Sequence, residues 1–184
     1  MKKTLIYLFL IIGSALTAYS IVEIRDSHHQ IEDRRKEARE LLRNGADKKL
    51  VFEQNETIGL LSVPKINKDI PIIEGTDNDQ LEAGVGHYTG TAFPGQKDQI
   101  VLSGHRDTVF RNFDQLKIGD IFTVKLSYGD FSYEIYDTKI VDADDLTIIK
   151  TTSPEEVLTV TTCYPFTYIG DAPERFVFYA RPIN

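Results

Sequence analysis

Hydrophobic positions along this chain fall into three regimes. Lys2 and Lys3 lead into nineteen residues without a charge, Thr4 to Val22. At a rise of about 1.5 Å per residue, that segment spans roughly 28 Å as a helix, close to the thickness of a bilayer core. It predicts a membrane anchor over residues 1–22. Small residues from Ser14 to Ala18 leave a cleaved signal peptide as the alternative. Either reading sends the rest of the chain outward. The basic residues do not settle orientation, because Lys2 and Lys3 precede the span while Arg25, Arg34, Arg35, Lys36, Arg39 and Arg43 follow it.

From Glu23 to Arg43 the chain is charged and free of Gly and Pro. Ile24, Ile31, Ala38, Leu41 and Leu42 recur at roughly helical spacing. A stalk helix and linker over residues 23–56 is expected, stopping near "RNG" (43–45), where Asn or Gly takes a left-handed cap. A disordered spacer is the alternative. From Thr57 the pattern changes to short apolar runs broken by Pro and Gly, which sets a domain over residues 57–184. "IGLLSVPKI", "IPIIEG", "QIVLSG", the pair "DIFTVKL" and "FSYEIYDTKIV", "EEVLTVTTC" and "RFVFYARPI" read as strands. About seven strands and few helical patterns predict an all-β barrel or sandwich. "SPEE" (153–156) fits a capping box opening a short helical turn.

Composition narrows the chemistry. Hydrophobic residues make up 41% and charged residues 27% of the 184, as in ordinary globular chains. A domain of about 130 residues buries a sufficient core without disulfides. The single cysteine excludes an internal disulfide, a CxxC pair and a thiolate zinc site. A net charge of -7 argues against a nucleic-acid partner, which needs clustered Lys and Arg. The acidic stretches "DNDQLE" (77–82) and "DADD" (142–145) lack the spacing of a calcium loop, so neither a metal nor a cofactor is expected.

Three residues could carry chemistry. Cys163 ends a predicted strand, with Val157, Thr159 and Thr161 on its face by two-residue alternation. A lone cysteine is often just a small buried hydrophobe; outside the cell a free thiol is an oxidation hazard, which favours a use for it. His105 follows the run "QIVLSG" and offers an imidazole able to hold or shuttle a thiol proton. Arg175 opens "RFVFYA", with Val177 and Tyr179 on its face; it would act through fixed charge and donors. Each has a plainer reading as a structural or surface residue. His87, in a Gly-rich segment, is expected to lock its loop by hydrogen bonds.

Taken in order, these residues resemble the sortases, cysteine transpeptidases of Gram-positive surfaces. "TVTTC" (159–163) is similar to the family's Thr-Leu-x-Thr-Cys, with valine for leucine. "HYTGTAFPG" (87–95), "IVLSGHRDTVFRNFDQLKIGD" (100–120) and "YIGDAPERFVFYA" (168–180) resemble family segments around the histidine and the arginine. The likeness covers roughly residues 57–182, and the short chain, N-terminal anchor and "TTCYPF" point to class D. The resemblance implies a closed eight-stranded barrel with short helical turns, an extracytoplasmic domain, and Cys163, His105 and Arg175 meeting at one end. It implies thioester formation on Cys163, acid/base work by His105, oxyanion or substrate stabilisation by Arg175, and Thr162 beside the pocket. The implied partners are surface proteins bearing an LPxT-type sorting signal, cut after its threonine, and an amine of the cell-wall precursor. A peptidase acting by hydrolysis only and a non-enzymatic surface scaffold are the alternatives. All motifs follow residue 57, so residues 1 to about 55 are expected to be dispensable for chemistry.

Overall fold

The computed structural model describes residues 2–45, 51–167 and 170–183. Residues 46–50 of the linker, and residues 168 and 169 of the arginine-bearing segment, lie outside the described residues. The strands are β1 (Thr57–Val63), β2 (Lys68–Glu74), β3 (Val85–His87), β4 (Gln99–Gly104), β5 (Ile121–Leu126), β6 (Gly129–Asp142), β7 (Val157–Tyr164) and β8 (Glu174–Pro182). They close in the order β1-β2-β3-β4-β7-β8-β6-β5. The open choice between barrel and sandwich is therefore resolved in favour of the barrel. It is mixed: β2–β3 and β4–β7 are parallel pairs, and the remaining ladders are antiparallel.

Alternation fills the interior. Ile100 and Leu102 of β4, Leu158 and Val160 of β7, and Phe178 and Ala180 of β8 are buried in one cluster. Burying each large apolar side chain contributes about 1.5–3 kcal/mol. Phe110 and Phe113, from the connection after β4, join that cluster and stack at 4.1 Å. Their approach explains Gly104, since a Cβ there would lie 2.7 Å from the Phe110 ring. A smaller cluster of Val141, Ile148 and Val177 lies on the opposite face of the sheet. The connection from β6 to β7 covers it, pinned by Gln99 Nε2, which donates to Ile148 O (2.7 Å) and Thr159 Oγ1 (2.9 Å).

Three local features differ from the pattern-based expectations. β3 is only three residues long, too short for alternation to register. "DNDQLE" is the start of a helix, α2 (Asn78–Ala83): Asp77 and Gln80 form a capping box, with Asp77 N donating to Gln80 Oε1 (2.9 Å). The capping box expected at Ser153–Glu156 does not form, and those residues make a turn. Glu156 is committed to tertiary partners instead, accepting from Tyr133 Oη (2.7 Å) and the Gly95 and Lys97 amides. His87 behaves as the loop lock expected of it. Its Nδ1 donates to the buried Glu74 carboxylate (2.7 Å), and Nε2 reaches Ala92 O (3.1 Å).

The N-terminal segment is one continuous helix, α1 (Lys2–Asn44), ending where Gly45 takes a φ of +53°. Its first half is long and apolar enough to cross a membrane, and none of that window is buried. The second half packs on the barrel. Ile31 meets the main core and Ala38 is 0% exposed. Arg34 donates to Asn55 Oδ1 (2.8 Å), and Arg35 Nε donates to Asp69 O (2.8 Å). A charge at the Ala38 contact would be desolvated without a partner. Ala38→Asp is therefore expected to lower the melting temperature of the full chain in detergent by roughly 5 °C or more. Circular dichroism melts check this, and a wild-type melt would show that the helix only lies alongside the barrel.

Candidate active site

Backbone register builds the candidate site. In the parallel pair β4–β7, Gly104 lies opposite Thr162. One residue further along each strand come His105 and Cys163. In the antiparallel pair β7–β8, Cys163 lies opposite Arg175. Neighbouring strands run about 4.8 Å apart, so Cys163 has Arg175 beside it on β8, while His105 is the first residue past the end of β4, the strand on the other side of β7. All three are half-buried. Alternation puts Cys163 on the face with Thr159 and Thr161, opposite the core face of Leu158 and Val160.

Each side chain is held by its local structure. The segment bearing His105 turns back on itself, with Phe110 N donating to His105 O (3.0 Å), and Phe110 and Phe113 anchor it in the core. Arg175 NH1 donates to Glu174 O (3.1 Å) and Ala172 O (3.3 Å), which aligns its guanidinium with the end of the β7–β8 loop. Thr162, expected to line the pocket, is 2% exposed, and its Oγ1 donates to Gly104 O (2.7 Å). Its hydroxyl fastens the ends of β7 and β4 together.

Three further residues at this end are not distinguished by sequence pattern. Thr161 shares the face of Cys163, and its buried Oγ1 has no hydrogen-bond partner among the described residues. Arg106 is buried and NH2 donates to Gly170 O (2.9 Å), joining the His105 segment to the β7–β8 loop. Lys68 donates to Val109 O (3.0 Å) and Arg111 O (2.9 Å). Among the described residues no group of three or more His, Cys, Asp or Glu side chains could hold a metal. Clefts of about 520 Å³ and 560 Å³ flank α1 rather than Cys163, and their linings are polar and charged.

Geometry and comparison converge. The family described as Sortase domain matches residues 61–183. Sortase D of Bacillus subtilis is 42% identical over 198 residues, covering all of both chains. Among solved structures, a Clostridium perfringens sortase D5 transpeptidase superimposes with a TM-score of 0.67 at 25% identity, covering 86% of this chain and 98% of that one. Sortase C1 of Streptococcus agalactiae superimposes with a TM-score of 0.65 at 28% identity, covering 75% and 73%. The protein is thus a barrel-type cysteine transpeptidase. The chain belongs to the sortase family, and its likeness is to class D.

Asp98 anchors the covering connection at the far end of β7. Its carboxylate accepts from the amides of Thr152 (2.6 Å), Gln99 (2.8 Å) and Ser153 (3.2 Å), and from Thr151 Oγ1. The Thr152 amide first, then that of Gln99, holds its pKa below the ordinary 3.8. With the folded value depressed, Asp98 stabilises the protein above pH 3.8 and loses that contribution as pH falls through the lower, folded value. Asp98→Asn is expected to melt lower than wild type at neutral pH and to show a smaller further drop on acidification through pH 4–2 (about the carboxylate range). Melting curves across that range check the prediction; parallel curves for the two proteins would remove Asp98 as an anchor.

Proposed function

We propose that this sortase cleaves an LPxT-type sorting signal after its threonine and transfers the surface protein to an amine of the cell-wall precursor. The observation that supports the reading is the register that pairs Cys163 with Arg175 and sets Gly104, the residue before His105, opposite Thr162. The Cys163 thiolate attacks the scissile carbonyl, forming a C–S bond and an oxyanion. Arg175 stabilises that oxyanion through guanidinium donors. As the C–N bond breaks, the His105 imidazolium protonates the leaving amine. The acceptor amine then attacks the thioester, gives its proton to His105 and releases the thiolate. Thr162 serves by alignment: its bond to Gly104 O keeps the ends of β4 and β7, and hence His105 and Cys163, abreast.

The same reading places the domain outside the cell on an uncleaved α1. The apolar side chains of its first half, such as Phe9, Leu10 and Leu16, are exposed and need a bilayer around them. Arg34, Arg35 and Ala38, in the same continuous helix, tie that anchor to the barrel without a flexible stalk between them.

Incubating a labelled LPxT-type peptide with and without a primary amine tests the reaction. Amine-dependent transfer product supports the reading, whereas hydrolysis alone, unchanged by amine, would make the protein a peptidase in practice. Cys163→Ala is expected to abolish both thioester and transfer while the barrel melts as in wild type. Residual transfer by purified Cys163→Ala would show that the nucleophile lies elsewhere.

Arg175→Lys is expected to lose most activity although charge is kept. Guanidinium offers parallel donors in a fixed plane, whereas an ammonium is a flexible point charge. Losing an oxyanion donor costs about 2.7–4 kcal/mol, or roughly a hundred- to a thousand-fold in rate. Transfer rates with thermal unfolding as control check this. A near-normal rate would leave oxyanion stabilisation to another donor.

A further inference from the structure

Lys68 reads in sequence as a surface lysine in the turn "INKD". In the fold it opens β2, opposite Val63. β3 separates β2 from β4 in the barrel, so no ladder joins β2 to the segment that follows β4. Lys68 makes that connection. Its half-buried ammonium caps two backbone carbonyls, Val109 O at 3.0 Å and Arg111 O at 2.9 Å. Those residues close the turn that begins at His105, and Phe110, between them, donates its amide to His105 O. Charge-assisted bonds of this kind are about twice as strong as neutral ones.

The ammonium is held there against opposing forces. Burial is the larger, and the positive charges of Arg111 and Arg35 add to it; all three lower its pKa. Among the described residues its hydrogen-bond acceptors are the two carbonyls, which account for a lysine at the start of this strand. The next residue, Asp69, accepts Arg35 Nε of α1 through its carbonyl. The docked helix, the first residues of β2 and the His105 turn therefore form one continuous set of contacts. Arg111 contributes a local bond only, its guanidinium returning to Asp107 O (2.8 and 3.1 Å).

We infer that Lys68 is a positioning residue, which latches the 105–111 turn and thereby fixes the His105 imidazole beside Cys163. The inference rests on the reading of His105 as acid/base, and its test separates the two. Full-length protein in detergent micelles, labelled with 13C-histidine, reports the imidazoles directly; the His105 signal is the one lost in His105→Gln. Lys68→Met is expected to shift or broaden the His105 ring signals while leaving those of His87 in place. In the same variant kcat for transfer of a labelled LPxT-type peptide to a primary amine should fall about tenfold or more, with KM changed less than about twofold. Lys68→Arg, which keeps charge and paired donors, should restore most of both. Where Lys68→Met does not fold, Lys68→Gln carries the same measurements. Unmoved His105 signals overturn the inference, whatever the turnover. Moved signals with unchanged turnover support the latch and remove His105 from acid/base work.

Discussion

Strand register is the constraint on which the candidate site depends. Among the described residues, no side-chain hydrogen bond aims Cys163 at its neighbours. Its position follows from β7 lying between β4 and β8, with Gly104 opposite Thr162 and Arg175 opposite Cys163. A slip of one residue in either ladder would turn every side chain of that strand to the other face. The buried bond from Thr162 Oγ1 to Gly104 O stands at the point where such a slip would begin. Gly104 admits the Phe110 ring just beneath, so the turn carrying His105 is packed down as the strand ends.

Around this register the barrel uses buried or multiply bonded ionisable groups as fasteners of loops. Glu74 and His87 close the segment after β3, Glu156 holds the amides of Gly95 and Lys97, and Asp98 holds the start of β7's covering connection. A polar group taken from water costs free energy unless its bonds are replaced, and here partners on other strands and loops, such as Glu74 for His87 and Thr152 for Asp98, supply many of the replacements. Tyr133 shows the same economy: burial, then its bond to Glu156, drives its hydroxyl pKa well above the ordinary 10.0, so it remains a donor.

The N-terminal helix joins an apolar segment long enough to cross a membrane directly to the barrel. A free stalk would let the domain swing at any height above the bilayer. α1 instead runs unbroken from the apolar span into contacts with β1, β2 and α2, burying Ala38 and engaging Arg34 and Arg35. Those contacts fix the second half of the helix against the barrel.

Much of this protein was legible from the chain itself. Apolar runs mark seven of the eight strands because side-chain period is a local property, and the nineteen uncharged residues mark the apolar helix for the same reason. "TVTTC", "GHRD" and the "RFVFYA" strand carried the family likeness, and with it the expectation of a shared site. The three-residue β3 was illegible, since alternation needs length. "SPEE" was misjudged, and the helix start in "DNDQLE" went unread, because a carboxylate or amide can cap, coordinate or reach across the fold, and its partners decide which. Closure of the sheet followed from the family likeness rather than from the local pattern, and the docking of α1 and the bonds of Lys68 belong to the tertiary structure alone. Each joins residues tens of positions apart, and nothing in a local pattern of polar and apolar side chains specifies which distant partner a strand or an ammonium will find.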